Sequence, residues 1–352
     1  MFLLFMVWSV AEAKGKPKVF NVMKYGATAN GQTDDSKAFL TAWSEACEWE
    51  GRARILIPRG SYMLYPVEFM GPCKGHTTVV IRGTLNAPSE AQALFFNTKW
   101  IGFRYIDGLN VGGGGTFNGQ GVASWPHNDF CEYRFRQECE DPPLEIDRQQ
   151  NTHFAVFRCE NLNFTKVRIL APANSPNTDG IKIGGSQNVG ITRSTIGTGD
   201  DCVAVLPGSS DIRISEVVCG PGHGISVGSL GKYKGEEDVR RVVVRNSTLR
   251  GTSNGLRIKT WASAFASEAS DFLFEDIEMD NVRNPITIDQ NYCPHGSCNP
   301  QASSHVQISN VKYKNIWGTS CSKIAVNLHC SESAPCKGIV LGNINLAHHR
   351  DQ

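Results

Sequence analysis

A short hydrophobic phrase recurs along the second half of the chain and limits the folds open to it. In each copy, one hydrophobic residue is followed by another at the fifth position after it, and in all but two copies by one at the third position as well. The copies begin at Phe164, Ile191, Ile214, Val244, Phe274, Ile308 and Leu341. Successive copies start 23 to 34 residues apart, within the range of solenoid repeats. Because the units hold short alternating runs broken by Gly, Asn and Asp, they predict the coils of a parallel β-helix.

The stack of coils also needs a cover at its ends. Residues 33–47 predict an amphipathic helix, opened by Asp and Ser, which we assign to the N-terminal cap. The apolar residues at helical spacing are Phe39, Leu40, Trp43 and Cys47. Because no linker or composition break divides the chain, residues 14–352 are expected to form one all-β domain, with 122–150 as an irregular loop. A leucine-rich repeat is disfavoured because its L-x-x-L-x-L phrase is missing, whereas a β-sandwich remains the alternative.

The overall composition indicates a folded protein of an oxidising compartment. The 352 residues include 35 Lys and Arg against 34 Asp and Glu, and this near-neutral balance argues against a nucleic-acid partner. Gly occupies 35 positions spread along the chain, which favours a turn-rich structure. The 12 cysteines form no zinc-type C-x-x-C pairs and include the close pairs Cys293/Cys298 and Cys330/Cys336. Disulfides are therefore expected.

The first residues predict secretion. Met1 to Val10 are almost wholly apolar and lead into small residues around Ala13, so residues 1–13 are expected to be a partial signal peptide that lacks the usual basic start. A buried N-terminal helix is the alternative. This run is too short to span a membrane, and no later segment resembles a span. Two N-x-[ST] sequons, at Asn163 and Asn246, are compatible with a secreted protein of the extracellular space or cell wall.

Four polar phrases interrupt the apolar alternation. They are NTDG at 177–180, GTGDDC at 197–202, GPGHG at 220–224 and RIK at 257–259. Each could have a purely structural role: Asp-Gly and Asp-Asp pairs form turns at coil corners, and an R-x-K pair commonly lies on a solvated strand face. Their spacing argues for more than this.

The acidic residues in these phrases recur at about one coil. Asp179 and Asp200 lie 21 residues apart, and Asp201 and His223 lie 22 apart. Because neighbouring coils of a β-helix lie about 5 Å apart, this spacing would stack three carboxylates and an imidazole on one surface patch. His223, which alone could be a structural turn histidine, could there orient or protonate a carboxylate.

Such a cluster suits glycoside hydrolysis. One protonated carboxyl donates to the leaving oxygen while an ionised partner activates water or attacks the anomeric carbon, and mutual repulsion keeps one of them protonated. Arg257 and Lys259 alternate along a predicted strand and would point to one face, where they could hold the carboxylates of an acidic sugar.

These four phrases, in this order, resemble the signature motifs of the polygalacturonases, pectin-degrading glycoside hydrolases that fold as right-handed parallel β-helices. The segments 20–27, 115–121 and 220–231 are also similar to plant members, and within that group the chain most resembles the exo-acting, pollen-type enzymes. The resemblance covers nearly the whole predicted mature chain.

The resemblance also implies roles for residues of the motifs. The general acid falls on Asp200, while Asp179 and Asp201 would hold and deprotonate the attacking water, and His223 would support these carboxylates.

Substrate contacts and one disulfide are implied as well. Arg257 and Lys259 would bind a galacturonate carboxylate near the scissile bond, and Tyr292 matches a tyrosine that contacts substrate. Cys202 and Cys219 match a family disulfide that ties two motif coils together.

The expected activity is exo-acting hydrolysis of α-1,4-galacturonosyl linkages in de-esterified pectin, with inversion, without a metal or other cofactor, by a monomer whose partner is polygalacturonate. An endo-acting enzyme, a pectate lyase and a non-catalytic pectin-binding wall protein are the alternatives. Coils about 5 Å apart would by general rules favour retention, so the expected inversion rests on the resemblance alone.

Overall fold

The polypeptide coils into a solenoid of parallel strands. The structure is a computed structural model that describes residues 16–88, 99–119, 152–175, 177–263, 265–294 and 302–348. Within these residues the strands form two sheets, one of 18 strands and one of nine. The predicted signal peptide at 1–13 and the predicted loop at 122–150 lie outside the described residues.

The 18-stranded sheet begins as two ladders of short strands, which merge where the strands become long at β21. Its strands are β1 (Lys18–Asn21), β2 (Asn30–Asp34), β3 (Ala53–Ile57), β4 (Ser61–Met63), β6 (Thr77–Ile81), β7 (Thr84–Asn86), β9 (Asp107–Gly112), β10 (Thr116–Asn118), β12 (Glu160–Thr165), β13 (Arg168–Leu170), β15 (Gln187–Thr192), β16 (Thr195–Gly197), β18 (Ser210–Ser215), β19 (Val218–Cys219), β21 (Val239–Arg250), β23 (Ser267–Val282), β25 (Val306–Ser320) and β27 (Lys337–His348).

The nine-stranded sheet supplies one strand from each successive coil. Its strands, in sheet order, are β5 (Val67–Met70), β8 (Lys99–Arg104), β11 (Thr152–Phe157), β14 (Ile181–Gly184), β17 (Val203–Val205), β20 (Ile225–Leu230), β22 (Asn254–Trp261), β24 (Asn284–Tyr292) and β26 (Val326–His329). Every neighbouring pair is parallel. The predicted all-β, right-handed parallel β-helix is therefore confirmed, and the β-sandwich alternative is wrong.

The recurring phrase corresponds to a column of aligned side chains in the 18-stranded sheet. The paired residues are Phe164, Ile191, Ile214, Val244, Phe274, Tyr313 and Leu341. All but the last are at most 1% exposed, so the column forms part of the core. The predicted start at Ile308 was wrong, because Ile308 pairs with Ala269 and the column passes through Tyr313. This coil is longer than the one before it, because Tyr313 follows Phe274 by 39 residues whereas Phe274 follows Val244 by 30.

Polar residues within successive strands of the 18-stranded sheet form an aligned column. One column of residues with positive φ comprises Asn161, Asn188, Asp211, Arg241, Asp271 and Asn310. Asn and Asp tolerate this left-handed conformation better than other non-glycine residues. Their side chains also bond from coil to coil, as in Asn188 Nδ2 to Asn161 Oδ1 at 2.6 Å. This explains why Asn and Asp punctuate the hydrophobic repeats.

The N-terminal region contains an α-helix, α1, from Ser36 to Cys47, and a short 3-10 helix from Val22 to Tyr25. The predicted helix began three residues too early, because residues 30–34 form β2 instead. The Asp35 carboxylate accepts hydrogen bonds from the main chain and hydroxyl of Thr28, so it fixes the preceding turn. Phe39, Trp43 and Cys47 are buried as expected, but Leu40 is exposed. No helix within the described ranges is long and apolar enough to cross a membrane.

Three disulfides lie among the described residues, joining Cys47 to Cys73, Cys202 to Cys219 and Cys330 to Cys336. The first ties the end of α1 to the loop between β5 and β6. The second confirms the pair implied by the resemblance, and the third confirms the close pair seen in the sequence. Not every cysteine forms a disulfide: Cys159 is a buried free thiol and Cys321 is an exposed free thiol.

Removal of the Cys202–Cys219 disulfide tests its contribution to stability. Both half-cystines are fully buried, and the bond closes a loop with a sequence separation of 17. We expect the double variant Cys202→Ala/Cys219→Ala to lose about 2–4 kcal/mol, seen as a fall in Tm of about 5–10 °C. Cys321→Ala, which removes an exposed free thiol, is the matched control. An equal Tm for the double variant and the control would contradict a stabilising disulfide.

Candidate active site

A group of polar side chains lies where strands β14, β17 and β20 of the nine-stranded sheet begin. Ile181 pairs with Val203, and Val203 with Ile225. This register places Asp179, Asp201 and His223 at equivalent positions of three successive coils. The prediction that Asp179 and Asp200 are aligned was therefore wrong by one residue, because Asp201 occupies the aligned position.

Asp201 is the most heavily paired of the three carboxylates. Its Oδ1 accepts hydrogen bonds from Arg257 at 2.8 Å and from Ser226 at 2.8 Å, and its Oδ2 accepts one from Lys259 at 3.0 Å. Burial disfavours the charged carboxylate, but Lys259 and Arg257 outweigh this effect and hold the pKa of Asp201 well below its ordinary value. Asp201 is therefore ionised even in acid.

Asp179 has the opposite environment. Its side chain is 3% exposed, and its Oδ2 lies 2.6 Å from Nζ of Lys182. Burial raises the pKa of Asp179 to about 7; Lys182 counteracts this rise, while the charges of Asp200 and Asp201 add to it. Below about pH 7 the Asp179 carboxyl thus carries a proton, although a lysine contacts it.

Asp200 is the most accessible of the three carboxylates, with 17% of its side chain exposed. Its Oδ1 accepts hydrogen bonds from the main-chain N–H of Asp201 at 2.8 Å and lies 2.9 Å from Nδ1 of His223. The hydrogen bond to Asp200 raises the pKa of His223. Both contacts use the same oxygen, so neither engages Oδ2.

A glycine allows His223 to approach Asp200 in this way. Gly224, which follows it, has φ of +85°, and a Cβ there would lie 2.2 Å from the main-chain oxygen of Asn254. Only glycine meets both conditions without strain. The main-chain N–H of His223 also donates to the carbonyl of Asp200, at 2.7 Å.

The three residues predicted to contact substrate lie on the next two coils. Arg257 and Lys259, on β22, point to one face as expected, and both reach Asp201. Tyr292, at the end of β24, lies with its ring centroid 5.2 Å from Nζ of Lys259. The structure therefore brings all seven predicted site residues into one region.

The sequence reasoning missed Lys182 and Ser226, which bind Asp179 and Asp201. A signal for Lys182 existed, since it is a charged residue between the apolar Ile181 and Ile183 directly after the NTDG phrase. Alternation along a strand would have turned its side chain toward the outer face. Ser226 occupies the same register position as Arg257 on the preceding strand, which no local window of sequence shows.

The same cluster contains ligand types that metals use. Asp200, Asp201 and His223 each present a ligand atom within 4.8 Å of the others. A metal ion there would have to displace Arg257 and Lys259 from the oxygens of Asp201 and would lie beside two fixed positive charges. The charge arrangement gives no support for a metal site, and we assign none.

Comparison with known proteins gives the family. The model of "Glycosyl hydrolases family 28" matches residues 47–352. An "Exopolygalacturonase" of Platanus acerifolia is 41% identical over 94% of this chain and 90% of its own, and a "Polygalacturonase" of Gossypium barbadense is 40% identical over 99% and 88%. The endo-xylogalacturonan hydrolase of Aspergillus tubingensis has the same fold, with a TM-score of 0.74 at 22% identity, covering 94% of this chain and 93% of that one. The chain belongs to glycosyl hydrolases family 28.

Proposed function

We propose that this protein hydrolyses α-1,4-galacturonosyl linkages of polygalacturonate, the backbone of de-esterified pectin, and that it acts from the chain end. Family membership and relatives named exopolygalacturonase and polygalacturonase support the reaction and the substrate. The observation that carries the chemistry is that two carboxylates of the cluster differ in protonation. Two cations hold Asp201 ionised, whereas Asp179 retains a proton near neutral pH.

In the proposed mechanism, Asp200 protonates the glycosidic oxygen as the bond to the anomeric carbon breaks. Its greater exposure supports this role, as does an Oδ2 without a hydrogen bond from any residue that the structure describes, because a general acid has to reach the substrate. Asp200 must carry a proton for this step, and in the proposed mechanism it receives that proton from Asp179, whose pKa responds to the charge of Asp200. In the free site Asp179 holds one below about pH 7.

The attacking water is assigned to Asp179 and Asp201. Asp201 accepts the proton of the water as the water oxygen attacks the anomeric carbon, since Lys259 and Arg257 hold this carboxylate ionised. Asp179 helps to hold the water. The proposed outcome is inversion of the anomeric carbon, which we carry over from the polygalacturonases that the motifs resemble.

The cations of the site have two proposed tasks. Arg257 and Lys259 keep Asp201 charged, and their remaining donors, together with Tyr292, receive a galacturonate carboxylate near the scissile bond. His223 keeps Asp200 in place through its 2.9 Å contact.

We also propose that the protein works outside the cell, in the wall, as a single domain over residues 14–352 and as a monomer, without a cofactor. The apolar start of the sequence and the disulfides support secretion.

Product analysis tests both the reaction and its direction. Incubation with polygalacturonic acid is expected to release galacturonate monomer from the earliest times, measured by anion-exchange chromatography of the products. A ladder of oligomers at early times would identify an endo-acting enzyme instead. Unsaturated products that absorb in the ultraviolet would identify a lyase, and binding without new reducing ends would leave only a pectin-binding protein.

Replacement of the proposed acid should stop turnover without loss of the fold. We expect Asp200→Asn to lower kcat on polygalacturonate by about 10²–10⁴-fold, because general acid catalysis is lost. Asp271→Asn is the matched control, since Asp271 lies on the 18-stranded sheet, where its partner is Asn310. Turnover of Asp200→Asn equal to that of the control would refute the assignment of the acid.

The pH dependence should respond to Lys182. Activity is expected to fall as pH rises through about 7, where the cluster loses the proton of Asp179. The ammonium group favours ionised Asp179, so Lys182→Met raises the pKa of this carboxyl and moves the alkaline limb of the kcat/KM profile upward, by about one pH unit or more.

Lys312→Met, at an exposed position of the 18-stranded sheet, removes the same charge away from the site and serves as the control. An alkaline limb that coincides in wild type and Lys182→Met would show that Lys182 does not influence the proton of the cluster.

A further inference from the structure

A row of lysines and aromatic rings leads away from the catalytic carboxylates. Lys259, bound to Asp201, lies with Nζ 5.2 Å from the ring centroid of Tyr292, whose ring is 5.4 Å from that of Trp261. Nζ of Lys232 lies 5.4 Å from the Trp261 ring and 5.0 Å from the Tyr233 ring. We name the outer part, formed by Trp261, Lys232 and Tyr233, the outer row.

Three successive coils build this row in register. Trp261 pairs with Tyr292 across β22 and β24, and Leu230 pairs with Thr260 across β20 and β22. Lys232 therefore follows the end of β20 on the coil beside Trp261. The row continues the same face of the nine-stranded sheet that carries the catalytic residues, so one extended ligand could contact both.

The turn that carries Lys232 is held in place by a single carboxylate. Glu236 accepts hydrogen bonds from the main-chain N–H groups of Gly231 at 2.6 Å, Lys232 at 2.9 Å and Tyr233 at 2.8 Å. Three charge-assisted bonds to one side chain restrict the backbone of this segment. A turn fixed in advance loses less entropy when its side chains bind a ligand.

The outer row offers the surface that an acidic sugar requires. Lys232 and Tyr233 are exposed, and Trp261 is partly exposed. The faces of the aromatic rings can receive the apolar face of a pyranose, and the ammonium can pair with its carboxylate. The Nε1 of Trp261 is buried without a hydrogen-bond partner within the described residues, so the indole is not held in place by that group.

We propose that Trp261, Lys232 and Tyr233 form a binding site for a galacturonate unit beyond those that flank the cleaved bond. The ligand class rests on the proposed function, and the site extends it by specifying where a longer chain is held. Lys232 would recognise the carboxylate of that unit and Trp261 its ring, so the outer row would favour longer, de-esterified chains over short or methyl-esterified ones.

Chain-length dependence of binding tests this site without turnover. In the Asp200→Asn background, calorimetric titration with pentagalacturonate is expected to show affinity about three- to fivefold weaker for Lys232→Met and about tenfold weaker for Trp261→Leu. Digalacturonate, which in this proposal occupies only the two positions that flank the cleaved bond, should show less than a twofold change. The matched control is Lys234→Met, an exposed lysine two residues along the same turn.

Three outcomes would overturn the site: unchanged pentagalacturonate affinity in Lys232→Met, an equal loss for both chain lengths, or an equal loss in Lys234→Met. Lys232 is exposed, so its variant decides the matter if Trp261→Leu lowers Tm. A wild-type protein that binds pentagalacturonate through the outer row but releases no reducing ends would refute the proposed hydrolysis and leave this site standing.

Discussion

In-register pairing of parallel strands is the constraint on which this molecule depends. Each strand of the nine-stranded sheet takes the same position one coil later as its predecessor, so residues 22 apart become neighbours at Asp179, Asp201 and His223. The same pairing stacks apolar residues inward, and their burial stabilises the coil without a separate core for each repeat. A catalytic cluster and a hydrophobic column are two consequences of one geometry.

The stacking of coils also brings three carboxylates close together, an arrangement that needs nearby cations to be stable. Three carboxylates on adjacent coils repel, and burial of two of them adds a desolvation cost. The cations offset this unequally: Asp201 has both Arg257 and Lys259, whereas Asp179 has Lys182 and remains protonated near neutral pH. Because the cations stabilise the charge of these two carboxylates unequally, one cluster can contain both an ionised base and a carboxyl that carries a proton.

The coil also explains how substrate binding can extend beyond the reacting bond. Strand β22 carries both cations that bind Asp201 and ends at Trp261, while Lys232 and Tyr233 follow the end of the neighbouring strand β20. Successive sugar units of a polymer bound across these coils would contact side chains on successive coils. Family 28 membership is consistent with this use of a solenoid face for a polymeric sugar.

The sequence by itself determined the coil and most of the site. The period of the hydrophobic residues and the spacing of the polar phrases were enough to predict both, because residues one repeat apart in sequence are adjacent in space in a parallel solenoid. The interval is not constant, however, so the repeat at Ile308 and the alignment of Asp179 with Asp200 were placed wrongly, and α1 began later than its pattern suggested.

Only the tertiary structure decided which carboxylate is ionised. Arg257 and Lys259 reach Asp201 from 56 and 58 residues away, while Lys182 reaches Asp179 from the outer face of its own strand. A pKa depends on burial and on charges within a few ångströms, and those quantities exist only after the coils have stacked.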